Sequence, residues 1–172
     1  MAGLPGAGKS TLARLLAQRF PGAVLDKDVI RAALFQADYV EYSQTQDDFC
    51  QEIMLKTAAY LLDKDADLHV LLDGRTFSRR YQRERVFEFC KQQKTAWAIL
   101  ECVCSEPIAL ERLATAAARG THLAANRTAD LYRQVQAGWE PIHDAKLVID
   151  TARSADSCVQ EALGYCQPRS YS

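Results

Sequence analysis

No apolar run in this 172-residue chain approaches the ~18–20 residues of a membrane-spanning helix. Met1-Ala2-Gly3-Leu4-Pro5 has no basic stretch followed by an apolar one, so it does not read as a secretory signal. Ala at position 2 fails the myristoylation pattern. Neither sign of charge dominates, since 21 Lys and Arg face 22 Asp and Glu for a net charge of −1. That balance argues against a strongly basic nucleic-acid coat protein and leaves a local basic groove open. There is no internal repeat, low-complexity tract or Pro/Ser-rich linker, which argues against a disordered tail, collagen or a coiled coil. The expected location is cytoplasmic.

What is there is ordinary for a globular chain: 48% hydrophobic and 25% charged residues. The length predicts a single domain over residues 1–172, able to bury roughly 70% of its unfolded surface without disulfides or structural metal. Six cysteines (Cys50, Cys90, Cys102, Cys104, Cys158 and Cys166) are diluted along it and read as reduced core thiols. Cys102-x-Cys104 lacks the second ligand pair that a zinc or redox site requires.

Short apolar runs alternate with helical periodicities. Strands are predicted at Ala23–Leu25, His69–Leu72, Trp97–Cys102 and Leu147–Ile149. Helices are predicted after Lys9, from Val29 to Phe35, Thr45 to Asp63, Ser78 (as the cap) to Gln92, Glu106 to Arg119, Ala129 to Gly138 and Ala155 to Tyr165. Such alternation predicts an α/β fold, a parallel sheet covered on both faces. Ligands bind beyond the carboxyl ends of such strands, and Asp26, Asp28, Asp73 and Asp150 all fall there.

Gly3-Leu4-Pro5-Gly6-Ala7-Gly8-Lys9-Ser10 fits G-x-x-x-x-G-K-[ST] at every fixed position. Glycines let successive backbone N–H groups turn inward around a phosphate, Lys reaches the β- and γ-phosphates, and the Ser hydroxyl ligates Mg²⁺. The following helix aims its positive end at the same charge. Gly3, Pro5, Gly6, Ala7, Gly8, Lys9, Ser10 and Thr11 are therefore the expected ATP-binding residues. Only Met1 and Ala2 precede the loop, whereas a central strand usually needs about five residues. The sheet is expected to lack most of its first strand, and a start upstream of Met1 is the favoured explanation.

Asp28 and Arg31 are three residues apart at a helix start and so share a face. The carboxylate suits a general base for an attacking hydroxyl, and the arginine suits holding the acceptor. Spacing alone favours a capping Asp and a solvent-exposed Arg, because capping Asp is common. Asp73 ends a strand where a second carboxylate holds the Mg²⁺ shell, or it merely starts the Asp73-Gly74 turn. Arg79, Arg80, Arg83 and Arg85, interleaved with Glu84 and Glu88, read mainly as a solvated helix face. Arg75 sits on the strand-to-helix loop, placed to touch a phosphate on the acceptor. Arg119 to about Thr128 is the lid candidate. His69 and the two tryptophans, Trp97 and Trp139, read as packing.

Phosphate loop, Leu25-x-x-Asp28-x-x-Arg31, a strand ending in Asp73 and Arg119-Gly120-Thr121 come in an order that resembles P-loop kinases of the polynucleotide kinase and zeta-toxin-like branch. That branch includes stand-alone bacterial ATP-dependent kinases of the AAA-type ATP-binding kind. The resemblance runs from Gly3 to about Asp150. It implies a three-layer nucleotide-kinase-like fold, Asp28 as general base, Arg31 on the acceptor and Arg119 clamping the ATP side from a lid. Asp26 stands where the branch has a small hydroxyl residue. The implied activity is transfer of the ATP γ-phosphoryl group to a hydroxyl of a small molecule, with Lys9 and Mg²⁺ neutralising charge. The alternatives are a polynucleotide 5′-hydroxyl kinase and a nucleotide-binding module that no longer transfers phosphate.

Overall fold

The structure is a computed structural model that describes residues 1–119 and 128–166. Every apolar run becomes a strand: β1 (Gly22–Asp26), β2 (His69–Asp73), β3 (Ile99–Val103) and β4 (Lys146–Asp150). β1 pairs with β2 in parallel, from Gly22 opposite His69 to Asp26 opposite Asp73. β3 pairs with β4 in parallel, from Ile99 opposite Lys146 to Val103 opposite Asp150.

Met1 and Ala2 lie between the two pairs. The Met1 amino group donates to the Leu72 carbonyl at 3.0 Å. On the other side, Ala2 N–H donates to the Leu100 carbonyl and Cys102 N–H donates to the Ala2 carbonyl, both at 2.8 Å. The order across the sheet is thus β1, β2, the Met1-Ala2 stub, β3, β4. The stub is a single parallel bridge to Glu101.

Side chains alternate across a strand, and the core divides accordingly. Leu71, Leu100 and Cys102 pack with Leu12, Ala13 and Leu16 of α1 (Lys9–Leu16) and with Cys158, Val159 and Ala162 of α7 (Ala155–Cys166). Their strand neighbours Leu72 and Ile99 join the opposite cluster, with Ala2, Phe77, Ile142, Val86, Phe87 and Trp139. The sheet is therefore the middle of three layers, a P-loop NTPase fold. Leu16 is fully buried, where truncation to Ala costs about 2–5 kcal/mol.

The remaining helices are α2 (Lys27–Leu34), α3 (Gln44–Lys64), α4 (Arg80–Gln93), α5 (Glu106–Arg119) and α6 (Ala129–Ala137). One predicted boundary is corrected. Ser78 does not cap α4; Arg79 occupies the cap position. Its N–H donates to the Gln82 side chain at 3.2 Å, and Arg80 N–H donates to the Glu140 carboxylate at 2.5 Å. A carboxylate sixty residues away thus outcompetes the local hydroxyl for the helix end. Arg83 is also corrected. It is buried and donates to the Phe77 carbonyl at 2.9 Å, so it is no part of a solvated face. His69 packs on Phe20, ring centroids 4.3 Å apart, and Trp97 packs on Phe87 at the same distance.

All six cysteines are free thiols. Burial raises the Cys102 thiol to about 11, leaving it protonated and inert. The lid segment of the sequence reading lies mostly outside the described residues: positions 120–127, including Gly120, Thr121 and His122, are among those not described.

Candidate functional site

The loop closes tightly against its surroundings. Gly3 (φ +139°) and Gly6 (φ +77°) take conformations that L side chains rarely adopt. A Cβ on Gly3 would lie 2.3 Å from the Cys102 carbonyl oxygen, and one on Gly6 2.5 Å from that of Ala109. The Lys9 ammonium donates to the Gly3 and Leu4 carbonyls, both at 2.8 Å. Ser10 and Thr11 stand in the first turn of α1, half-buried and exposed respectively.

Arg112 of α5 and Thr151, just past β4, support the loop. Arg112 Nη1 reaches the Gly6 carbonyl at 3.3 Å, and Thr151 Oγ1 lies 3.1 Å from the Ala7 carbonyl. Arg112 was missed in the sequence. The available signal was its position seven residues before Arg119, two turns back on one helix face.

Asp26 caps α2, its Oδ1 accepting from the N–H groups of Asp28 (2.8 Å) and Val29 (3.4 Å). That settles the capping alternative: Asp26 is the cap and Asp28 stands in the first turn. Burial, and next the charge of Asp73 opposite, push the Asp26 carboxyl above its usual value. Asp28 and Arg31 meet on one face as the spacing predicts, 2.8 Å apart, with both side chains buried. Arg31 also pairs with Asp47 of α3. Lys27 sits 2.8 Å from Asp47 and 3.5 Å from Asp28. The Tyr42 ring lies 5.1 Å from the Arg31 guanidinium carbon.

These groups face one cavity of about 120 Å³. Pro5 and Lys9 line it from the loop, Lys27, Asp28 and Arg31 from α2, and Tyr42 and Asp47 from the next segment. Gly74, Arg75 and Thr76 follow β2, and Leu131 and Val135 come from α6. The fold therefore joins Pro5, Lys9, Asp28, Arg31 and Arg75, five residues singled out in the sequence. It adds Lys27, Tyr42 and Asp47, which carry no local pattern. Asp26, Ser10, Asp73 and Arg119 are not in its lining. Arg119 is exposed at the end of α5, where it and Arg112 line a separate cavity of about 350 Å³.

Asp73 is 1% exposed, and its Oδ1 has no hydrogen-bond partner among the described residues. A buried carboxylate oxygen without a donor fits a hydrated cation. Mg²⁺ uses one or two carboxylates plus water and phosphate oxygens rather than an all-protein cage. Ser10 and Asp73, the two residues that the sequence assigns to Mg²⁺, would contribute one hydroxyl and one carboxylate to such a shell.

A family profile described as AAA domain (AAA_33) matches residues 1–141. No curated protein matches. Among solved structures, the chain is similar to Mycobacterium tuberculosis APS kinase CysC in complex with AMPPNP and APS. Identity is 18%, the TM-score is 0.66, and 95% of this chain and 92% of that one are covered. It is also similar to a kinase candidate from Chloroflexus aurantiacus, with 21% identity, a TM-score of 0.70 and coverage of 96% and 98%. A gluconokinase from Sinorhizobium meliloti follows at 16% identity, TM-score 0.65 and coverage of 95% and 87%.

Proposed function

The chain belongs to the AAA domain family, and on that footing we propose that it is an ATP- and Mg²⁺-dependent kinase that phosphorylates a hydroxyl of a small molecule. The observation that carries this is the shared cavity, in which the loop's Lys9 faces the Asp28–Arg31 pair. A nucleotide-phosphate contact and a carboxylate suited to proton removal border the same space. The net charge of −1 and the lack of an interleaved basic-aromatic pattern favour a small acceptor over a polynucleotide end.

Lys9 and the backbone N–H groups of Gly6, Ala7 and Gly8 hold the ATP phosphates, with Gly3 and Pro5 shaping the loop and Ser10 and Thr11 at the helix start. Ser10 and Asp73 would hold Mg²⁺, which would supply positive charge against the phosphates. Asp28 accepts the acceptor's hydroxyl proton as the new O–P bond forms and the bond from the γ-phosphorus to the bridging oxygen breaks, releasing ADP. Arg31 holds Asp28 in place and steadies the acceptor. Arg119 clamps the ATP side. Phosphoryl transfer rests mainly on positioning and electrostatics, which these residues supply. Within P-loop kinases, Asp28-x-x-Arg31 and Arg119-Gly120-Thr121 favour the polynucleotide kinase and zeta-toxin-like branch.

The test is a transfer screen with γ-labelled ATP over sugars, nucleosides, antibiotics and 5′-hydroxyl oligonucleotides. A labelled small-molecule product is expected. A labelled oligonucleotide as the sole product overturns the acceptor class, and ADP release without any labelled acceptor overturns the kinase.

A further inference from the structure

We propose that the acceptor carries an oxyanion, a carboxylate, sulfate or phosphate near its reacting hydroxyl, and that Arg75 is its seat; this rests on the kinase reading above. Arg75 is 2% exposed and lines the same cavity as Lys9 and Asp28. One nitrogen fixes the head group: Nη2 binds the Asp48 carboxylate and lies 3.1 Å from the Tyr81 hydroxyl. Tyr81 is itself held by Gln44 Nε2 at 2.7 Å and lies 3.2 Å from Asp48. The guanidinium is therefore braced on one side.

Its Nε and Nη1 have no hydrogen-bond partner among the described residues, and neither has Nε of Arg31 on the same cavity. A buried donor left unmade is costly, more so when it belongs to a charged group. These three nitrogens, on two arginines that line one cavity, call for a ligand rich in acceptor oxygens. A lone hydroxyl offers one oxygen, and its proton is directed to Asp28. An oxyanion offers several, with charge to match.

The cavity is not simply basic, since Asp28 and Asp47 also line it. Both are already engaged, Asp28 by Arg31 and Lys27, Asp47 by Lys27 and Arg31. Asp48 is engaged by Arg75, with Arg85 at 3.7 Å. Among the described residues the Arg75 head keeps two unanswered donors against one on Arg31, and the anion belongs there.

The direct test follows the Arg75 Nε–H resonance of the whole chain, saturated with AMPPNP so that the phosphate loop is filled, and assigned with Arg75→Lys. Inorganic phosphate, sulfate and acetate are titrated separately, which separates the three anion sources. A saturable shift of that resonance with at least one anion is expected; no shift with any of them overturns the seat. In parallel, transfer is compared within glycerol, glycerate and glycerol 3-phosphate, and within glucose, gluconate and glucose 6-phosphate. An anionic member should exceed its neutral partner in kcat/KM, and Arg75→Gln should shrink that preference about ten- to a hundredfold. Neutral members matching or exceeding the anionic ones overturn the proposal. Product formed without a shift at Arg75 removes the anion seat and keeps the kinase. A shift without any product from any acceptor removes the kinase and keeps the seat.

Discussion

Arg112 and Thr151 are joined twice, through Nη2 to the Thr151 carbonyl at 2.8 Å and Nη1 to its hydroxyl at 2.9 Å. The pair links α5 to the chain leaving β4, and both partners also touch carbonyls of the phosphate loop. Thr151→Val keeps the shape and deletes the hydroxyl, leaving part of Arg112 and the Ala7 carbonyl with fewer partners. The expected loss of stability is about 1–3 kcal/mol, together with weaker ATP binding. Calorimetric unfolding with and without ATP reads both, and an unchanged melting temperature would remove the clamp.

Lys9→Ala deletes the ammonium that reaches the phosphates. The expected loss is about 1.5–3 kcal/mol of ATP affinity. Titration calorimetry checks it, with equal affinity and rate as the disproving result. The two loop carbonyls bound to Lys9 lose a donor as well, so a small drop in thermal stability should accompany the loss.

Asp28→Asn retains an oxygen that can accept from Arg31, so the fold should persist and ATP should bind nearly as before. Transfer should fall about 10²–10⁴-fold, the usual range for a lost general base. Arg31→Ala is a harsher change, because it removes the guanidinium that pairs with both Asp28 and Asp47. Breaking a buried ion pair costs about 3–5 kcal/mol, so it should lower the melting temperature as well as transfer. A full rate for Asp28→Asn with a verified acceptor would end the general-base assignment.

Asp26 offers a pH-dependent test. Burial and the Asp73 charge raise its folded-state value above the usual 3.8, so the folded state holds this proton more tightly than the unfolded chain. Stability contributed by the protonated form is complete below 3.8 and is lost as pH rises through the raised folded value. Asp26→Asn keeps the capping oxygen, and Asn and Asp are about equal as caps. The variant should therefore be as stable as the wild type or more so at neutral pH. That advantage should shrink in acid. Denaturant unfolding across pH 3–7 reads the difference, and a deficit for the variant that grows as pH rises would contradict it.

Most of the architecture was legible because its causes are local. Four apolar runs with helical stretches between them specify parallel strands, and each strand boundary lies within two residues of its prediction. Gly3 and Gly6 specify the loop through backbone angles that other residues resist. Asp28 and Arg31 meet because three residues on a helix bring side chains to one face. The cap of α4 was illegible for the opposite reason: Glu140 arrives from a distant segment, and nothing near Ser78 announces it. Asp47 was hidden in a segment with no decodable pattern, and Arg112 among ordinary helix residues.

Thus the amino-acid sequence by itself determined the alternation of strand and helix, the phosphate loop and the shared face of Asp28 and Arg31, all consequences of periodicity and backbone sterics over a few residues. Tertiary structure alone decided that Asp26 caps while Asp28 lines the cavity, that Lys27, Asp47 and Tyr42 surround Arg31, and that Arg75 is buried with two nitrogens unanswered among the described residues. Those outcomes depend on which strands become neighbours and which helix crosses their ends. A charged side chain's partners are set by that long-range packing, because the desolvation of each charge must be answered by whatever groups the fold brings within a few ångströms.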